Sequence, residues 1–515
     1  LVFYNLDKNN STTWSNEICL PSGVFQALSG PGCVGSLKRE FDQYSSIEST
    51  MKGKRTYIIV MVSLMLLNLI QAGFTELLDD EAYYWMFSQH LDWGYFDHPP
   101  MVALMIKSGT LIFHNTLGIR LFSIIAFFVC MMVMYALQRS YRPNRLIILI
   151  LSTGLMQIGA TLAVPDVFLI LFSTLFLWIY CAFLQSKTWR NTFLLGICIA
   201  ALMYSKYHGI LLIAFTILAN FQLLNDKKFW IASLLGLVLF LPHIYWQYMH
   251  GFPSLVYHLI ERYPKEYNLS YTTDYLLGQL IIFGPLTGWM VLFAAYKQQT
   301  NTDVWLRTLK YIVFGTLGFF FLASFKGNTE PYWTSIALVP GMLLLHNYLD
   351  KNYKFERILY KLFPFSLGLI VLIRAAFIWD FVGDKIAIIG ELHGNEMRTS
   401  QIKEKAKGYP VYFLDSYQAA SKYIYYQHLP ATSYNSISYR NNQYDFWKFG
   451  NTWQADSVLV VGVAPENASD SILTGTTKIY TRLYANPVIH VNSDFYKQMP
   501  VCKKMSRFTF GHYGR

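Results

Sequence analysis

Hydrophobic positions in this chain run rather than alternate. From Tyr57 onward, long apolar stretches recur with only short polar breaks: Tyr57 to Phe74, Ile119 to Leu137, Leu146 to Leu162, Val167 to Leu184, Phe193 to Tyr204, Gly209 to Leu224, Trp230 to Trp246, Tyr275 to Tyr296, Tyr311 to Ser324, Thr334 to Leu349 and Leu359 to Trp379. A helix needs about 20 apolar residues to cross a hydrocarbon core, and no backbone group there can be left without a partner. The pattern predicts a polytopic α-helical membrane protein of about 11 spans, range about 11–13. After about residue 380 the long runs stop. Shorter patterns such as "YPVYFLDS", "YQAASKYIYYQHL" and "SVLVVGVA" read as strand, helix, strand, so residues 380–515 are expected to form a soluble α/β domain.

Charge then orients the spans. Lys52, Lys54 and Arg55, then Arg139, Arg142 and Arg145, Lys187 and Arg190, Lys227 and Lys228, Lys297, Arg307 and Lys310, and Lys351, Lys354 and Arg357 all fall on one side. The positive-inside rule makes that side cytoplasmic. An odd number of spans starting inside puts the first connecting loop, residues 75–100, and the C-terminal domain outside. The net charge of +11 is therefore a topology signal, and nucleic acid is not an expected partner. Composition agrees: 53% hydrophobic and 14% charged residues suit a chain surrounded by membrane lipid. The six cysteines, Cys502 alone among them in the outer domain, show no disulfide framework or zinc spacing. Residues 1–50 carry no span and precede "MKGKRTYIIVMVSLMLLNLI", which has the flank of a true start; they are expected to be a non-native or disordered extension, with residues 51–379 as the transmembrane domain.

Against this apolar background the stretch "ELLDDEAYYWMFSQHLDWGYFDHPPM" stands out, with six carboxylates at the mouth of the first span. Read physically, Asp79 is as well explained by an interfacial position as by chemistry. Tyr83, Tyr84 and Trp85 suit a helix lying on the membrane surface, and "YFDHPP" suits an acidic helix start followed by a first-turn proline. Elsewhere, Asp166 in "AVPDVFLI" has the dipole-favoured place at a helix start, and Lys206 interrupts an apolar hairpin, where an ionisable group is a functional candidate by default.

The order of these motifs resembles a known family. An acidic pair in the first outer loop, "YFDHPP", "PD", "SKYHG" at 205–209, "PHIYWQYMHGFPS" at 242–254, "EPYW" at 330–333 and "DSYQAASKYIYY" at 415–426 are together similar to the C-type membrane glycosyltransferases, in particular the aminoarabinose transferase-like group, family 83, with the dolichyl-phosphate-mannose protein mannosyltransferases more distant. The resemblance implies transfer of a sugar from a polyprenyl-phosphate carrier to a lipid, glycan or protein acceptor on the outer face of the cytoplasmic (inner) membrane. It implies a catalytic role for Asp80, with Glu81 and Asp166 beside it. Lys206 is the expected phosphate ligand. Asp97, His98, Tyr83, Tyr84, Tyr95, His208, Trp246 and Glu330 are expected to line the substrate pocket, and Arg262 is a reserve cation. Where the aminoarabinose group has an arginine this chain has Tyr83, and where it has a lysine this chain has His98, so two fixed positive charges are missing from the phosphate side. No cofactor is required. A divalent metal among Asp80, Glu81, Asp97, His98 and Asp166 stays open, because the spacing contains no diagnostic ligand motif.

Two other classes fit a many-span chain. A polyprenyl-substrate transporter or flippase would show internal repeats or paired broken helices, and an envelope polymer ligase would carry its largest outer loop between spans. Here the polar groups gather on one face and the largest soluble part is C-terminal.

Overall fold

Every predicted apolar run becomes helix, but fewer of them are full-length spans than the hydropathy implies. The computed structural model describes residues 33–138, 142–262, 266–436, 439–447, 457–463, 469–474 and 477–485; residues 1–32, Arg139 and Cys502 lie outside them. Among the described residues, six helices are long and apolar enough to cross a bilayer: Met51–Phe74, Thr116–Leu137, Pro165–Gln185, Lys227–Met249, Val304–Ser324 and Tyr353–Ile378. Their starts have local causes. Asn115, Asp226 and Asp303 accept from the first backbone N–H groups of their helices, and Pro165 occupies a first turn where its missing N–H costs nothing.

Of the remaining runs, Phe193 to Tyr204 lies within one shorter helix, Trp189–Ser205, and others break. Leu146 to Leu162 is two helices, Pro143–Leu151 and Gly154–Thr161, bent by 86°. Thr153 causes the bend: its backbone is extended, and its hydroxyl donates to Leu149 O at 2.8 Å. The run Tyr275 to Tyr296 divides into Leu269–Ile282 and Gly288–Lys297. Gly284 sits there at φ 136°, where a Cβ would lie 2.3 Å from the Thr287 hydroxyl, and Pro285 disfavours helix at the residue before it. Met101–Thr110, a ten-residue apolar helix, begins at the proline pair where "YFDHPP" placed a helix start, though it was not counted among the apolar runs.

Two compact units are present, 1–56 and 57–515. Residues 33–50 are helical, within the element Cys33–Phe74. In the second unit the expected boundary near residue 380 is not a break, because the C-terminal part packs on the first outer loop. Its sheet has the order β2-β1-β3-β5-β4, with β1 (Val411–Leu414), β2 (Ala431–Tyr434), β3 (Ser457–Val461), β4 (Asp470–Thr474) and β5 (Thr477–Ala485). The first three are parallel and the last two antiparallel. β1 and β3 are buried along their whole length, which is why their sequences read as unbroken apolar runs. The helix Tyr417–Gln427, capped by Ser416, joins β1 to β2 and lays its buried face on the first outer loop.

Candidate active site

The loop after the first span, residues 75–100, contains a buried helix, Asp79–Gln89, where a surface-lying one was expected. Its three leading residues are all acidic, which suits the positive end of a helix dipole. They diverge at once in direction. Asp79 pairs with Lys422 Nζ at 2.5 Å, and Lys422 also donates to Glu391 O at 2.9 Å and Asn395 Oδ1 at 3.1 Å. Glu81 turns the opposite way. Its carboxylate reaches back to Leu78 N at 3.0 Å, the third-residue half of a capping box, accepts from Ala163 N at 2.8 Å, and meets Arg120 through Nε at 2.8 Å and Nη2 at 2.5 Å. Both members of that ion pair are fully buried.

Asp80, between them, lies within range of the charges of Asp79, Arg440, Asp97 and Lys206. Among the described residues its carboxylate has no hydrogen-bond or ion-pair partner. Burial, then the charge of Asp79, pushes its pKa up to about 7, against the pull of Arg440 and, more weakly, of Lys206.

Around Asp80 stand two ion pairs. Lys206 Nζ donates to Asp166 Oδ2 at 2.7 Å, and the Ser335 hydroxyl donates to Asp166 Oδ1 at 3.1 Å. The Lys206 ammonium also lies 5.3 Å from the centre of the Tyr332 ring. On the other side Arg440, from the C-terminal domain, donates to Asp97 Oδ1 at 2.6 Å and to the Tyr417 hydroxyl, with its guanidinium over the Tyr417 and Tyr257 rings. The Tyr83 hydroxyl donates to Asp97 Oδ2 at 2.9 Å and accepts from Gln443 N at 2.8 Å. His98 completes this wall. Burial and the cations Lys206, Arg440 and Arg262 hold it well below the usual imidazole range, so it is neutral. His258, at 3.2 Å from Asp97 O, is pushed down to about 4 by burial and Arg262. Arg262 itself stacks on the Trp333 ring at 4.0 Å.

Several expected site residues lie elsewhere. Glu81 is not a free carboxylate: its oxygens are fully engaged by Arg120 and backbone N–H groups, so it holds the helix in place. Tyr95 is a loop lock, its hydroxyl donating to Phe87 O and His90 O and accepting from Asp92 N at 3.1 Å. Trp246 donates to Asp92 Oδ2 at 2.8 Å and packs so closely on Gly94 that a Cβ there would lie 2.6 Å from its ring. Glu330 accepts from Asn328 at 2.9 Å at the rim. Tyr84 packs edge-on to His98, and His208 packs edge-on to Phe320 near Lys206. The oxygen-rich metal set does not assemble, since Glu81, Asp97 and Asp166 each turn to their own cation; among the described residues no three His, Cys, Asp or Glu side chains converge. Arg440 and Lys422 were missed: Arg440 stands in no motif, Lys422 lies within "DSYQAASKYIYY" without being singled out, and both reach the first loop only through tertiary packing.

A helical bundle with bent helices, and a C-terminal α/β part packed on a cluster of carboxylates and cations, make a fold similar to that of the solved C-type membrane glycosyltransferase structures below. Within that class the likeness to the aminoarabinose transferase-like group holds. The model of the dolichyl-phosphate-mannose-protein mannosyltransferase family matches residues 97–246. The lipid A galacturonosyltransferase RgtD of Rhizobium johnstonii is 21% identical over 305 residues, 56% of this chain; the match spans 64% of that relative's length, a little under two thirds. Among solved structures, ArnT from Cupriavidus metallidurans superposes with a TM-score of 0.61 in the apo state at 12% identity, over 83% of this chain and 98% of that one. Its complex with undecaprenyl phosphate gives 0.59 at 13% identity, with the same coverage.

Proposed function

We propose that this chain is a glycosyltransferase that moves a sugar from a polyprenyl-phosphate carrier to a lipid, glycan or protein acceptor at the outer face of the cytoplasmic membrane. One observation carries the reading: Asp80 is the carboxylate left without a partner at a point where Lys206, Arg440 and Asp97 converge. An undecaprenyl-phosphate-bound structural neighbour and a lipid A galacturonosyltransferase relative support a lipid-linked donor and favour a lipid acceptor.

The chemistry follows from charge placement. The bond between the anomeric carbon and the phosphate oxygen breaks as the acceptor oxygen forms its own bond to that carbon, through an oxocarbenium-like state. Asp80 takes the acceptor proton, for which a pKa near 7 suits a general base. Lys206 and Arg262 face the departing phosphate and take its charge, supplying part of what Tyr83 and His98 do not. Asp166 and Ser335 hold the Lys206 ammonium in place, and Arg440 with Tyr83 fixes Asp97. Neutral His98 adds hydrogen-bonding capacity without further positive charge.

The test is mass spectrometry of envelope lipids, glycans and glycoproteins from cells with and without this gene, complemented by wild type or Asp80→Asn. Loss of one sugar from one class of molecule, restored only by wild type, is the expected result. An unchanged inventory overturns the reading.

A further inference from the structure

Away from the active site, the outer half of the bundle contains a cation with no counter-charge. Arg374 lies one turn from the end of Tyr353–Ile378, within a spanning helix. Its guanidinium donates to Gln71 Oε1 at 2.5 Å, to Asn68 Oδ1 at 2.7 Å, and to Gln157 O at 2.5 Å and Oε1 at 3.3 Å. All of these acceptors are neutral amide oxygens, and among the described residues no carboxylate pairs with it. Asn68, Gln71, Gln157 and Arg374 are 1, 2, 2 and 6% exposed, so water does not solvate the charge freely.

The same cluster has spare donors. Arg374 Nε, Gln71 Nε2 and Gln157 Nε2 are buried and have no hydrogen-bond partner. Amide flips do not remove the problem, because each glutamine already presents its oxygen to the guanidinium. Three unsatisfied N–H donors beside an uncompensated charge form a costly arrangement in an apolar setting. One anion relieves both deficits. With all four side chains almost completely buried, the occupant that fits is a small ion.

We infer that the Asn68, Gln71, Gln157 and Arg374 cluster binds a small monovalent inorganic anion of the chloride type, held by Arg374 Nε and the two glutamine amides. The anion joins the first span, the bent pair and the last span directly beneath the first outer loop, where Leu78 packs with Ala376 and Phe377. It is a structural ligand, remote from the Asp80 pocket.

The full chain, purified in detergent, would be melted at constant ionic strength in gluconate while chloride or bromide replaces the gluconate. A saturable rise in Tm of several degrees is expected with either halide. Bromide-soaked crystals should show an anomalous peak beside Arg374. The discriminating variants are Gln71→Glu and Gln157→Glu, each of which puts a carboxylate of the same size next to the guanidinium. Either should raise the Tm in gluconate to that of the halide-loaded wild type and abolish the halide response. Equal melting of the wild type in gluconate and chloride overturns the inference, as does a glutamate variant that keeps the full halide response. An empty site in the bromide map would mean that water alone fills it, and likewise overturns it.

Discussion

Acidification should switch transfer off through Asp80, and a single distant substitution should move the pH at which this happens. A base works in its ionised form. With its pKa near 7, Asp80 is about one-tenth ionised at pH 6 and about one-hundredth at pH 5, so kcat/KM should fall about tenfold per pH unit below neutrality. Arg440 is the strongest of the cations that lower this pKa, and Asp97, which Arg440 neutralises, raises it. Arg440→Gln therefore acts twice in the same direction. A unit charge at ~5–10 Å in an effective dielectric near 20 is worth roughly 2–3 kcal/mol. One pH unit corresponds to about 1.4 kcal/mol, so after solvent screening the acid limb should rise by about one to two pH units. The assay is release of polyprenyl phosphate from a carrier-linked sugar with envelope lipid extract as acceptor, followed from about pH 5 to about pH 9 for wild type, Arg440→Gln and Asp80→Asn. Asp80→Asn should retain a rate lower by about a hundredfold or more with no acid limb. A wild-type profile flat across this range would refute the base assignment and point to an acceptor that is already ionised. An unmoved limb in Arg440→Gln would refute the electrostatic reasoning.

The other predictions concern the supports of the site and its orientation. Lys206→Met should lower transfer by about 10²–10³-fold, the scale for losing one charge-stabilising donor, and should also lower the Tm, because Asp166 is left as a buried carboxylate with Ser335 as its remaining partner; an unchanged rate in the folded protein would reduce Lys206 to a structural partner of Asp166. Glu81→Gln should leave Arg120 as a buried unpaired charge and cost about 3–5 kcal/mol of stability, seen as a lower Tm and poor yield, while any protein that folds keeps the wild-type pH profile; a well-folded Glu81→Gln with normal Tm but no activity would return Glu81 to the chemistry. Outside-only thiol labelling should mark Gln89→Cys and Lys403→Cys, both exposed, and leave the exposed Ser186→Cys unmarked; Ser88 and Ser436 are too buried to serve as reporters.

The legible part of this molecule was what hydrophobicity and local chemistry decide. Each apolar run is helical because a chain surrounded by lipid must satisfy its backbone internally, and the strand, helix, strand pattern after residue 410 is found as β1, Tyr417–Gln427 and β3. What the runs could not reveal is where a helix stops halfway. Thr153 and Gly284 act through single dihedrals, and hydropathy averages over them. Asp80, Asp97 and His98 each lie within range of the charge of Lys206 or Arg440. The misplacements of Glu81, Tyr95 and Trp246 share a cause: a polar residue in a dense motif can serve the loop as readily as the substrate, and only the partner distinguishes the two. Arg120, which claims Glu81, stands in an unremarkable apolar stretch. Arg440 and Lys422 arrive from more than 300 positions away.

That last separation bears on how the protein is made. The beginning of the first-loop helix is held by contacts from the C-terminal part: Glu76 accepts from Asn395 N at 2.7 Å, Leu77 N donates to the Tyr426 hydroxyl at 2.9 Å, Asp79 pairs with Lys422, and Phe96 N donates to Gln443 at 2.7 Å. During synthesis the catalytic loop emerges among the first elements, while its clasp is among the last. With the orientation proposed above, residues 391 to 443 must follow across the membrane before Asp97 can gain Arg440 and the helix of Asp80 its clasp. Half-made or truncated chains should then bear the acidic motif without the proposed transfer activity, which would begin only once the C-terminal part is in place.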